Sequence, residues 1–383
     1  MDSKLPDVGT TIFEQMTQLA NKHKAINLSQ GFPTFNPDPR LLERVCYYFQ
    51  NGYNQYAPLA GIPELREAIA DKVRHLYGRT ADSGSEITVC DGATEGLFST
   101  ILAVVRPGDE VIVFDPAYDS YAPAVTLAGG RTRHLQLVSS ASRPASHIDF
   151  NALSDAINDR TRLIIINFPH NPTGAILSRD DLDALADLVR DTSVYLLSDE
   201  VYEHIVFDGR QHVSVLVQDE LWPRSFVISS FGKTYHATGW KVGYCVAPAE
   251  LTVEFRRVHQ FACYAVITPI QHAIADFMRE APRHYSELSR FYEQKRDHFC
   301  QLLKDSRFTY KPAAGTFFQL LDYSAISSEQ DLLYAQRLTR EIGVASIPVS
   351  VFSETEPASR LLRFCFAKDD AMLEAAAERL CRL

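Results

Sequence analysis

From about residue 86 to residue 250, short apolar runs alternate with stretches whose apolar residues recur every three to four positions. The runs fall at 87–90, 110–114, 131–137, 162–167, 194–198, 226–229 and 242–246, and each predicts a strand. Several are continuous rather than alternating, such as Leu163-Ile-Ile-Ile-Asn167 and Val194-Tyr-Leu-Leu-Ser198. That is how strands covered on both faces read. Between them, Ser178-Arg-Asp-Asp181 has the form of a capping box, and Leu182, Leu185, Ala186 and Val189 then fall on one helical face. Strands alternating with helices predict an α/β fold with a mainly parallel sheet.

The last third changes character. Helices are expected near 251–261 and 285–304, a strand at 316–321, a helix near 329–342, strands near 344–348 and 360–366, and a helix near 370–381. This predicts a second, smaller α+β unit. The expected division is a large domain over 41–275 and a small domain over 276–383, with an N-terminal segment, 1–40, packing on the small one.

Composition narrows the class without naming a chemistry. With 383 residues, 46% hydrophobic and 22% charged, the chain reads as a globular enzyme of one large and one smaller unit. A net charge of −10 and the absence of a basic stripe argue against nucleic acid as a partner. The 7 cysteines are widely spaced, with no C-x-x-C pair or zinc-like cluster, so no metal is expected. They read as reduced thiols, and Cys90, Cys245, Cys263 and Cys365 stand in apolar surroundings. No basic-then-apolar leader opens the chain, and no run reaches the roughly 18 apolar residues of a membrane span. A cytoplasmic protein is expected.

In open α/β sheets, ligands bind beyond the carboxyl ends of the strands. After the first predicted strand comes Asp91-Gly-Ala-Thr-Glu95, a small-residue turn opening a helix, suited to a phosphate but on its own an ordinary helix start. After 162–167 comes Phe168-Pro-His-Asn-Pro-Thr-Gly174, a rigid turn holding Asn171. Asp199 follows the run 194–198 directly, where a buried carboxylate needs a partner, and Tyr202 comes three residues later. After 226–229 come Ser230-Phe-Gly-Lys233 and Gly239-Trp-Lys-Val-Gly243. A lysine at a sheet's carboxyl edge can serve as amine nucleophile and base.

The succession N-P-T-G, S-D-E-V-Y, S-S-F-G-K-T, G-W-K-V-G and R-F-C-F resembles the class I/II aminotransferases of the type I pyridoxal-phosphate fold. The resemblance runs from about Asn27 to the C-terminus. Asn27-Leu-Ser-Gln-Gly-Phe-Pro33 and Gln55-Tyr-Ala-Pro58 are most similar to the methionine, kynurenine and glutamine transaminase group. It implies pyridoxal 5′-phosphate as cofactor, and transfer of an α-amino group from an uncharged amino acid to a 2-oxo acid by way of the pyridoxamine form.

By the same resemblance, Lys233 carries the cofactor as a Schiff base and moves the substrate proton. Asp199 pairs with the pyridine nitrogen, and Asn171 and Tyr202 bond the ring's phenolic oxygen. Ala93, Thr94, Ser230 and Lys241 bind the phosphate. Lys241 replaces the arginine commonest there, giving a point charge in place of a fork. Tyr118 stacks on the ring, and Tyr56 reaches the phosphate from the partner of a homodimer. Arg363 clamps the substrate α-carboxylate, assisted by Gly31 and Asn171, with Phe13 over the side chain and Tyr56 and Tyr264 as further pocket aromatics.

Three other readings compete. A carbon–sulfur β-lyase acting on cysteine conjugates would use the same lysine, aspartate and arginine. A pyridoxal-phosphate-sensing regulator would need a DNA-binding domain, for which about 27 leading residues are too few. A nicotinamide dehydrogenase lacks its G-x-G-x-x-G, since Asp91-Gly-Ala-Thr-Glu-Gly96 has the wrong spacing.

Overall fold

A computed structural model of the chain describes residues 2–139, 143, 145–354 and 360–383. The chain opens with helices α1 (Ile12–His23), α2 (Pro39–Gln50) and α3 (Pro63–Tyr77), and a two-residue strand, β1 (Ile26–Asn27), lies between the first two. Helix α4 (Gly92–Val104) follows strand β2 (Ile87–Cys90). The next strands are β3 (Glu110–Asp115), β4 (Arg131–Gln136), β5 (Thr161–Asn167), β6 (Tyr195–Asp199), β7 (Ser225–Ser230) and β8 (Gly243–Val246). Among the described residues, β2 to β8 form one sheet in the order β2-β8-β7-β6-β5-β3-β4. β8 runs antiparallel to β2 and β7, and every other pairing is parallel.

The period of two in a strand explains why the central runs are apolar throughout. Leu163 and Ile165 enter one buried layer with Val111, Val113, Leu197 and Ile228, while Ile164 and Ile166 enter the opposite layer with Ile112, Leu196 and Val227. Each such side chain contributes about 1.5–3 kcal/mol on burial. The helix over Arg179–Val189 starts at the expected capping box, with Ser178 Oγ accepting from the Asp181 amide and Asp181 from that of Ser178. Its residues Leu182, Leu185, Ala186 and Val189 are buried.

The C-terminal part builds a smaller sheet. Strands β9 (Phe318–Asp322), β10 (Val344–Ala345), β11 (Ile347–Pro348) and β12 (Leu361–Cys365) follow one another, and β11-β12-β9 pair antiparallel. β9 begins two residues later than expected, because Thr316 adopts a φ of 66° and turns the chain just before it. The expected helix over 329–342 is a regular helix, Asp331–Arg337, widened into a π-turn over Leu338–Ile342. β1 pairs parallel with β10, and Met16 and Ala20 of α1 are buried. Met16 joins the same apolar cluster as Leu28, Phe317, Phe318 and Phe364. Tyr202, Ile205 and Phe207, which follow β6 of the large sheet, also belong to it.

All seven cysteines are free. Cys90, Cys245 and Cys365 are buried, whereas Cys263 is only half-buried, since it caps the helix Ala249–Ala262. No helix among the described residues is long and apolar enough to cross a membrane, and no His/Cys/Asp/Glu group there could hold a metal.

Candidate active site

The carboxyl ends of β2, β3, β5, β6 and β7 and the entry to β8 converge on one cavity of about 260 Å³. Register brings its parts together. Gly243 pairs with Cys90 on one side and with Ser230 on the other, so the first turn of α4, Ser230 and Lys241 become neighbours. Asn167 pairs with Asp199 on the adjoining strands. Phe13, Gly31, Ala93, Thr94, Tyr118, Asn171, Asp199, Tyr202, Ser230, Lys233, Lys241 and Arg363 all line the cavity.

Tyr56 and Tyr264 do not. Tyr56 is 83% and Tyr264 57% exposed, and their rings stand perpendicular, 5.3 Å apart, on the surface of this chain. Of the aromatic residues expected beside the substrate side chain, Phe13 alone lines this cavity.

At the α4 end, Gly92 has a φ of +69°, and a Cβ there would lie 3.0 Å from Lys241 Nζ. Glycine therefore lets an ammonium approach the start of a helix whose first amides are free to donate. Gly243 is equally tight, since a Cβ would lie 2.6 Å from the Ser229 carbonyl and 2.9 Å from the Ala93 amide nitrogen.

Asp199 is buried at the cavity floor, and the Tyr121 hydroxyl donates to its Oδ2 at 2.7 Å. Burial raises its pKa to about 6, against the opposing effects of the Tyr121 bond and the Val201 amide. No cation lies within bonding distance of it among the described residues. Asn167 braces the site from below, donating to the Asp199 carbonyl at 2.9 Å and accepting from the Asn171 amide at 3.0 Å. Tyr121 and Asn167 were not singled out from the sequence. Tyr121 opens a short helix three residues after Tyr118, and Asn167 closes a strand, so position alone marked them.

Lys233 Nζ donates to the Gly31 carbonyl at 3.1 Å, and burial lowers its pKa to about 8. Its amine is thus far closer to neutrality at physiological pH than a surface lysine. Arg363, 1% exposed, donates from Nη1 to Asn171 Oδ1 at 2.7 Å and from Nη2 to the Ser29 carbonyl at 3.0 Å. Its guanidinium lies 3.9 Å from the ring centroid of Phe318 and 5.2 and 5.5 Å from those of Phe13 and Phe352. Desolvation lowers its pKa to about 10, still leaving it charged. Its Nε has no hydrogen-bond partner among the described residues.

Pyridoxal phosphate fits this donor set. Free α4 amides, Ser230 and Lys241 suit its phosphate, an unpaired buried carboxylate suits its ring nitrogen, and a depressed lysine suits its aldehyde. The comparisons with known proteins decide the family. Residues 23–380 match the model of aminotransferase class I and II. The chain belongs to that family.

It is 50% identical to the Escherichia coli methionine aminotransferase, over 100% of this chain and 98% of that one. An Escherichia coli crystal structure, from work identifying a methionine aminotransferase function, superposes with a TM-score of 0.97 at 50% identity, over 100% and 99% of the two chains. The Mycobacterium tuberculosis N-succinyldiaminopimelate aminotransferase structure gives 0.96 at 35% identity, over 100% and 99%. The Dictyostelium discoideum kynurenine–oxoglutarate transaminase is 33% identical, over 98% and 94%. The chain is therefore a pyridoxal-phosphate-dependent aminotransferase of the type I fold.

Proposed function

We propose that this aminotransferase takes methionine and other uncharged amino acids with long or aromatic side chains as donors. The cavity lining carries this reading. Its cations are Lys233, Lys241 and Arg363, and chemistry claims each of them. An acidic side chain would need a fourth, since an unpaired buried charge costs several kcal/mol. Arg40 is paired with Asp38, and Arg256 is spent on Thr88 Oγ1 and the Gly84 and Ile87 carbonyls at the far end of β2. Phe13 and Phe318 give an apolar wall, and the 50% identical methionine aminotransferase supports the same choice.

In this reading Ala93, Thr94, Ser230 and Lys241 hold the cofactor phosphate, and Tyr118 covers the ring. Asn171 and Tyr202 hold its phenolic oxygen. Bound there, the cofactor supplies an electron sink for the bond-breaking at the substrate α-carbon. Asp199 keeps the ring nitrogen protonated. Arg363 grips the α-carboxylate in two parallel bonds and orients the α-hydrogen toward Lys233, with Gly31 at the same subsite. The Lys233 amine takes that proton and returns it on the other side of the amino group, which its low pKa suits at neutral pH.

The reading extends to a cytoplasmic homodimer in which Tyr56 serves the partner's site, consistent with its exposure. It also divides the chain into a large domain over 41–275, a small domain over 276–383 and a leading segment, 1–40, on the small one. The experiment is a comparison of kcat/KM for methionine and aspartate with one common oxo acid. Methionine is expected ahead by at least about tenfold, and aspartate ahead would overturn the substrate assignment.

A further inference from the structure

We infer that Lys368 is a positioning residue for the α-carboxylate subsite. Resting on the role proposed above for Arg363, it fixes the strap Ser29–Phe32 that faces the substrate. Four successive carbonyls of this strap accept from three buried or half-buried cations, and the partners alternate. Arg363 Nη2 takes Ser29 at 3.0 Å, and Lys233 Nζ takes Gly31 at 3.1 Å. The two carbonyls between and after them, Gln30 and Phe32, go to Lys368 Nζ at 3.2 and 2.7 Å.

Lys368 is 1% exposed, and its ammonium lies 4.5 Å from the Phe32 ring centroid. No carboxylate pairs with it among the described residues, so its charge is satisfied by these carbonyls and that ring. A hydrophobic side chain would fill the space without the cost of burying a cation. What only a cation of this length supplies is a simultaneous hold on two carbonyls.

The strap has little freedom elsewhere. The Thr34 amide donates to the Ala367 carbonyl at 3.2 Å, and the Asp369 amide to Thr34 Oγ1 at 3.0 Å. The Cys365 amide donates to the Leu28 carbonyl at 2.8 Å. Both ends of the strap are thus pinned to the chain that follows Arg363 on β12, and Lys368 pins its middle. Gly31 sits there with Phe318 Cζ only 2.8 Å from where a Cβ would stand. With the Gln30 and Phe32 carbonyls held by Lys368, the Gly31 peptide stays at the cavity and the Ser29 carbonyl stays on Arg363. Losing the hold lets the strap roll, and the carboxylate subsite loses its preorganisation.

The test uses holoenzyme of Lys368→Met, Lys368→Arg and, as a reference, Arg363→Gln. Calorimetry measures binding of 4-(methylthio)butanoate, which has the carboxylate of methionine and no amine. Single-turnover absorbance compares methionine with 3-(methylthio)propylamine, which has the amine and no carboxylate. In Lys368→Met the carboxylate probe is expected to bind about tenfold more weakly. The methionine-to-amine rate ratio at low substrate should fall by the same factor, and KM should rise with kcat little changed. Lys368→Arg should restore most of both.

If methionine and the amine fall together, or if the probe's affinity is unchanged, Lys368 serves only folding and the inference is wrong. Should Lys368→Met not fold, Lys368→Gln, an uncharged donor that cannot span both carbonyls, answers the same question by the same ratio. Arg363→Gln separates the two levels. If that variant leaves the ratio intact, the assignment of Arg363 fails. If it collapses the ratio while the Lys368 variants do not, only the inference about Lys368 fails.

Discussion

Asp199 illustrates how one buried group carries a cost that its ligand removes. Its pKa in the folded protein is raised from 3.8 to about 6 by burial. A raised acid destabilises the fold once ionised: the penalty is absent below about pH 4, grows as pH rises through 6 and is then constant. In the cofactor-free protein it amounts to about 3 kcal/mol at neutral pH. Asp199→Asn is accordingly expected to raise the melting temperature of cofactor-free protein at pH 7.5, with the gain vanishing near pH 4. The same variant should lower kcat of the loaded enzyme by roughly a hundredfold or more. An unchanged melting temperature at pH 7.5 would show that Asp199 bears no such strain. Lys233 and Asp199, each ordinary when taken singly, were legible in the succession of motifs around them, and both line the cavity. Tyr121, Asn167 and Lys368 were not, because a tyrosine, an asparagine or a lysine looks ordinary until a fold supplies its neighbour.

At the scale of elements, the large sheet was legible because strands covered on both faces must be apolar at every position, as in Leu163–Ile166. Its register was not. Nothing in Gly239-Trp-Lys-Val-Gly243 announces that Gly243 stands between Cys90 and Ser230, yet that pairing brings the first turn of α4, Ser230 and Lys241 together at the cavity. The helices α2 and α3 also went unassigned, since their half-exposed faces carry mixed residues and their starts are marked by Pro39 and Pro63 rather than a capping box. Gly243→Ala tests the register. Its Cβ would press on the Ser229 carbonyl and the Ala93 amide, so about 1–3 kcal/mol of stability should be lost. Because the Ala93 amide moves with it, cofactor affinity should fall too. Urea unfolding and titration of cofactor-free protein with pyridoxal phosphate measure the two effects, and a variant equal to the parent in both would contradict the close packing.

On the scale of the whole molecule, the cavity is a seam lined from three apolar clusters, by Val242, by Leu97 and by Tyr202 with Phe318, and Tyr202 belongs to the C-terminal cluster although it follows a strand of the larger sheet. Such a seam could not be read from hydrophobic pattern, which reports a buried face but not what covers it. Tyr56, 83% exposed against Tyr264, extends the question to a second chain. Mixing Lys233→Ala with Tyr56→Phe protein should restore activity toward one-quarter to one-half of the parent. A mixed dimer concentrates both defects in one site and frees the other. No recovery, with mixed dimers shown to form, would place Tyr56 outside the partner's site. The seam has a further consequence for how such a protein diversifies. Lys233, Asp199 and Asn171 stand at or just beyond the carboxyl ends of the large sheet's strands, whereas Phe13, Phe318 and Phe352 come from the leading helix and the C-terminal part of the chain. Mutational drift in the second set can retune which side chain is welcomed while the reacting groups keep their places, so new appetites can arise on an unaltered chemistry.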